Sequence, residues 1–124
     1  MATPLSGLCV LLIEDHSDSR DMFEQSLAFL GANVITAPTA EAGLGRIQGV
    51  DVVVTDLALP GHDGVWLLER VRAVKDIPVV LVSGYAASQV PAVAAAPFTL
   101  KILKPIDPLE LGWQIALALG RGPA

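Results

Sequence analysis

The sequence predicts an α/β domain in which five short parallel strands form an open, doubly wound sheet with five helices on its two faces. Three observations lead there. Short apolar, β-branched runs alternate along the chain with segments of helical period. The runs are apolar throughout rather than at every second residue, as strands covered on both faces are. Parallel neighbours need crossover connections, and right-handed helical crossovers place helices on both sides of the sheet.

The elements follow in order. Leu8 to Ile13 is an apolar first strand. Asp18 to Leu30 carries Phe23, Leu27 and Leu30 at helical spacing, and Gly31 stops it. Val34 to Thr36 is a short second strand, and Thr39 can cap a helix reaching to about Gln48. Val52 to Thr55 is a buried third strand. Leu57 to Asp63, with Pro60, Gly61 and His62, is a loop. Gly64 to Lys75 is a helix with Leu67, Leu68, Val71 and Val74 facing inward. Pro78 to Val82 and Leu100 to Leu103 are the fourth and fifth strands. Tyr85 to Ala96 is Ala-rich and favours helix, but Pro91 lacks a backbone donor and is expected to break or kink it. The last helix starts at Asp107, with Pro108 in its first position and Glu110 completing a capping box, and runs to Gly120.

Composition bounds the function. The chain has 124 residues, enough for one domain. Hydrophobic residues make up 52%, which supports a core, and charged residues only 17%, which argues against disorder. A net charge of -5 argues against general binding to nucleic acid or anionic membrane. The single cysteine, Cys9, excludes an internal disulfide and reads as small core filler, suited to a reducing cytoplasm. No apolar run reaches the ~18 residues of a membrane span, and no secretory signal pattern opens the chain. The expectation is a cytoplasmic protein. A complete small protein and a domain of a longer one both fit.

In doubly wound sheets the site lies beyond the carboxyl ends of the strands. The first strand ends in Glu14-Asp15, the third in Asp56, the fourth in Ser83-Gly84 and the fifth in Lys104-Pro105. Three carboxylates, a hydroxyl and an amine are thereby gathered. Carboxylates brought together repel, and a hard cation such as Mg2+, which takes one or two carboxylates plus waters and phosphate oxygens, relieves this. Lys104 supplies a compact positive charge, and Ser83 a hydrogen bond. These are the parts needed for phosphoryl transfer to a carboxylate.

Four motifs in this order closely resemble the CheY-like receiver domain of two-component response regulators, a flavodoxin-like fold. They are Val10-Leu11-Leu12-Ile13-Glu14-Asp15, Val53-Val54-Thr55-Asp56-Leu57 with Pro60-Gly61 and Asp63-Gly64, Leu81-Val82-Ser83-Gly84, and Lys104-Pro105. The resemblance covers about residues 7 to 120 and makes residues 1-124 a single receiver domain. It implies strand order 2-1-3-4-5. It implies that Asp56 takes a phosphoryl group from a histidine kinase or histidine phosphotransfer protein. Mg2+ would be held by Asp15, Asp56, the Ala58 backbone carbonyl and, through water, Glu14. Ser83 would be the switch hydroxyl and Lys104 its charged partner, with a cis Lys104-Pro105 peptide. Output would pass by protein–protein interaction, from a monomer or weak homodimer without direct nucleic-acid or membrane binding. Such a domain catalyses its own phosphorylation and dephosphorylation and is otherwise no enzyme. Ser83-Gly84-Tyr85 with Leu59-Pro60-Gly61 is most similar to receivers of hybrid sensor kinases and stand-alone regulators.

Two departures stand out. Lys101 occupies the position three before the lysine, where the family usually has Tyr or Phe, so Tyr85 would overhang the site instead. The fourth helix, with Pro91 and Pro97, is also unusual. A receiver-like interaction module that does not switch by phosphorylation is the alternative these departures keep open. A phosphatase forming an aspartyl-phosphate is disfavoured because Ala58 stands where it needs a second acid. A nucleotide-binding domain is disfavoured because no Gly-rich loop follows the first strand. Among other polar residues, His16 lies beside the acids but reads as an exposed loop histidine rather than a ligand, His62 also as an exposed loop histidine, Asp63 as a loop or capping acid, and Trp66 as outward-facing, exposed or partly packed. The Ala and Val of residues 86 to 96 either pack on the sheet or form a dimer face.

Overall fold

The computed structural model describes residues 3–86 and 89–121. Among the described residues five strands and five helices alternate strictly: β1 Cys9–Ile13, α1 Ser17–Phe29, β2 Asn33–Ala37, α2 Ala40–Leu44, β3 Val52–Asp56, α3 Gly64–Val74, β4 Val79–Ser83, α4 Pro91–Ala95, β5 Leu100–Leu103 and α5 Pro108–Ala118. The strands form one parallel sheet in the order β2-β1-β3-β4-β5. The expected fold is therefore the observed one.

Strand alternation divides the core in two. Val10, Leu12, Val52, Val54, Val80 and Val82 face α1 and α5, where Phe23, Leu27, Leu111 and Ile115 cover them. Leu11, Ile13, Val53, Val79 and Leu81 face the other side, under Leu67, Leu68 and Val71 of α3 and Val93 of α4. Each fully buried branched side chain contributes about 1.5–3 kcal/mol by leaving water. The helices seat closely where side chains are small: a Cβ at Gly112 of α5 would come within 2.3 Å of Leu30 Cδ1.

The caps follow the sequence. Thr39 accepts from the Ala42 N–H, Asp63 from the Trp66 N–H, and Asp107 from the Leu109 and Glu110 N–H groups. Only half of the expected capping box forms; the Glu110 carboxylate accepts from the Gln114 amide at 3.4 Å. The second helix ends at Leu44 rather than near Gln48. Gly43 and Gly45 weaken it, and turns carry the chain to β3.

The segment around Pro91 corrects the expectation. Pro91 does not break a helix over 85–96; it opens a five-residue helix, in the first-turn position where its missing N–H is harmless. Residues 87 and 88 lie outside the described residues. Val93 and Ala96 pack on the sheet, while Ala92, Ala94 and Ala95 are exposed.

Candidate functional site

The chain leaves β1 for β2 on one side and reaches β3 on the other, so a crevice opens beyond the carboxyl ends of β1 and β3. Asp56 is the last residue of β3 and Glu14 directly follows β1. The β3 backbone is fixed at this end. Gly64 brings α3 so close that a Cβ there would lie 2.5 Å from the Asp56 carbonyl oxygen. The Thr55 hydroxyl donates to the same carbonyl at 2.8 Å. Neither contact was evident in the sequence, although a Gly opening a helix after a loop signals close backbone approach.

Both carboxylate oxygens of Asp56 are engaged. Oδ1 accepts from the Leu57 N–H at 2.7 Å, and Oδ2 from the Lys104 ammonium at 2.7 Å. Lys104 also reaches Glu14 Oε1 at 3.4 Å. It directly follows β5, and its N–H donates to the Ser83 carbonyl at 2.7 Å, so β4 aligns it. The Lys104-Pro105 peptide is cis, as expected. Ser83 is buried at the end of β4, and its hydroxyl accepts from the Tyr85 N–H at 3.1 Å. Among the described residues no hydrogen bond joins that hydroxyl to Asp56 or Lys104. Ala58 sits on the exposed loop two residues beyond Asp56.

Glu14 is only 3% exposed. Burial pushes its carboxyl above the ordinary range, and Asp56 adds to this against the opposing pull of Lys104. Burial alone would lower the Lys104 ammonium, but its hydrogen bonds and charge interactions with Asp56 and Glu14 outweigh that and hold it above its usual value. Glu14 Oε2 and Asp15 Oδ1 are shielded from solvent and have no hydrogen-bond partner. Two orphaned carboxylate oxygens beside a third acid form a donor set that fits a hard divalent cation. The Arg20 guanidinium, unsuspected from the sequence, pins this corner by donating to the Glu14 carbonyl at 2.9 Å.

The model of the response regulator receiver domain matches residues 10–116. The chain belongs to the response regulator receiver family. Receiver domains are signalling modules of two-component systems, not metabolic enzymes; as a family they bind Mg2+ and interact with histidine kinases and other proteins. A similar relative is an uncharacterized 14.6 kDa protein of the sodA1 3' region of Leptolyngbya boryana, 32% identical over 113 residues, with 86% of each chain covered. The virulence sensor protein BvgS of Bordetella pertussis is 39% identical over 77 residues, which are 60% of this chain and 6% of BvgS. The CheY-like receiver domain protein of Methanospirillum hungatei JF-1 superposes with a TM-score of 0.81 at 27% identity, covering 91% of this chain and 94% of that one.

The departures from the usual receiver pattern take definite forms. The Lys101 ammonium donates to the Ala94 carbonyl at 3.1 Å, tying β5 to the end of α4. Tyr85 is 60% exposed. His62 is no idle loop residue: it stacks on Trp66 with ring centres 4.0 Å apart and lies 3.5 Å from Glu41 Oε2. The Arg70 guanidinium lies 5.2 Å from the Trp66 ring centre, so the half-buried indole carries a cation as well. No described helix is long and apolar enough to cross a membrane.

Proposed function

We propose that residues 1–124 form one receiver unit, with its core over about residues 7 to 120, that is phosphorylated on Asp56. The observation that carries this reading is the Asp56 carboxylate held between the Leu57 N–H and the Lys104 ammonium, beside the two orphaned acid oxygens. An Asp56 oxygen attacks the phosphorus of a phosphohistidine on a histidine kinase or histidine phosphotransfer protein. The P–N bond breaks, the imidazole leaves, and an acyl phosphate forms on Asp56. Lys104 follows the new negative charge from Asp56 Oδ2 to a phosphoryl oxygen. Asp15, Asp56, the Ala58 carbonyl and, through water, Glu14 would hold Mg2+. When bound, Mg2+ neutralises charge on the phosphoryl oxygens.

The Ser83 hydroxyl is the switch group. It accepts from the Tyr85 N–H, donates its own proton to a phosphoryl oxygen, and by moving toward that oxygen carries the change into the β4–α4 loop. Output passes by docking to another protein, from a cytoplasmic monomer or weak homodimer. Self-phosphorylation and self-dephosphorylation are the only chemistry of the chain.

Beryllofluoride, which stands in for the phosphoryl group, tests this reading by amide NMR. Added with Mg2+, it is expected to shift the Leu57, Ser83, Tyr85 and Lys104 signals in the wild type and to leave Asp56→Asn unmoved. Unshifted wild-type signals would overturn the proposal.

A further inference from the structure

We propose that His16 is an additional ligand of the divalent-ion site and tilts that site from Mg2+ toward borderline ions such as Co2+ and Zn2+. The inference rests on the metal-site reading of Glu14 and Asp15 given above. His16 stands at the N-cap of α1, and its side chain makes no capping hydrogen bond there. Its Nδ1 lies 3.3 Å from Asp15 Oδ1 and 3.9 Å from Glu14 Oε1. One donor atom from each of Glu14, Asp15 and His16 lies within 4.8 Å of the other two.

Two further facts point to an ion among them. Asp15 Oδ1 is shielded from solvent and forms no hydrogen bond, even with the nitrogen 3.3 Å away. Glu14 Oε2 is equally orphaned on a side chain only 4% exposed, while Lys104 takes Oε1. Two donors about 2.1 Å from a shared ion stand about 3.0 Å apart at a right angle and about 3.4 Å apart at a tetrahedral angle. The separation of His16 Nδ1 from Asp15 Oδ1 falls in that range. The His16 side chain is 75% exposed, so it can turn onto an ion without disturbing the core.

The chemistry sets the selectivity. Mg2+ takes oxygen ligands and sheds water reluctantly, so an imidazole adds little to its binding. Imidazole nitrogen suits borderline transition ions such as Co2+, Ni2+ and Zn2+, which bind nitrogen donors far better than Mg2+ does. A His16 that merely packs beside the two acids predicts no selectivity among ions.

Calorimetric titration of the full chain with Mg2+, Co2+ and Zn2+ separates these readings. His62→Ala serves as background, since it removes the only other histidine. Adding His16→Ala or His16→Gln is expected to weaken Co2+ and Zn2+ binding at least tenfold and Mg2+ binding less than twofold. The Co2+ absorption spectrum should lose its nitrogen-ligand contribution in the same variants. Equal losses for all ions, or none, would overturn the role of His16 while bound Mg2+ left the site itself standing. Wild-type protein binding none of the three ions would overturn both.

Discussion

The Lys104 ammonium lies 2.7 Å from Asp56 Oδ2 and only 3.4 Å from Glu14 Oε1, so one cation holds two acids from different strand ends. Removing it leaves those acids facing each other. Lys104→Met, which keeps the apolar stem, is expected to lower stability by about 1 kcal/mol, a modest value because the side chain is partly solvated. It is also expected to slow phosphorylation by acetyl phosphate about 100-fold. Urea denaturation and single-turnover labelling measure the two effects separately.

The raised Glu14 carboxyl gives a pH dependence. Its folded value lies above the ordinary 4.5, so its stabilising contribution is complete below about pH 4.5 and is lost as pH rises through the folded value. The Lys104 value is raised above 10.5, so its contribution is complete below about pH 10.5 and is lost only in stronger alkali. In EDTA, Glu14→Gln should therefore gain on the wild type as pH rises above about 4.5. Denaturation curves at several pH values check this, and parallel profiles for the two proteins would contradict it.

Gly64 marks the closest backbone approach to the acceptor. A Cβ there would lie 2.5 Å from the Asp56 carbonyl oxygen and 3.2 Å from Leu57 Cα. Gly64→Ala must push α3 away from β3 and is expected to destabilise by about 1–3 kcal/mol. Thermal melting gives the magnitude, and amide NMR should show the largest shifts at Asp56 and Leu57.

Lys101 points its ammonium at the Ala94 carbonyl rather than at the acids. Lys101→Ala is therefore expected to change stability by no more than about 0.5 kcal/mol. Phosphorylation of Asp56 should stay within about twofold of wild type. A large fall in the labelling rate would show that Lys101 couples to the site after all.

Much of the fold was legible because its signals are local and redundant. The apolar runs of β1, β3 and β4 admit one reading, and Thr39, Asp63 and Asp107 cap the helices they precede. Glu14, Asp15, Asp56, Ser83 and Lys104 could be chosen because parallel topology brings strand ends together. What stayed hidden depends on distance in space. Pro91 has opposite meanings inside a helix and at its first turn, and only the neighbouring backbone decides which applies. Arg20 on the Glu14 carbonyl and the Glu41–His62–Trp66 chain depend on rotamers that no spacing rule specifies.

Phosphorylation of Asp56 is the central claim, and intact-mass spectrometry tests it most directly. After incubation with acetyl phosphate and Mg2+, the wild type should gain the mass of one phosphoryl group, lost again on treatment with hydroxylamine. Asp56→Asn should gain none. A wild type that stays unmodified, or a gain that persists in Asp56→Asn, would contradict the assignment of Asp56 as the acceptor.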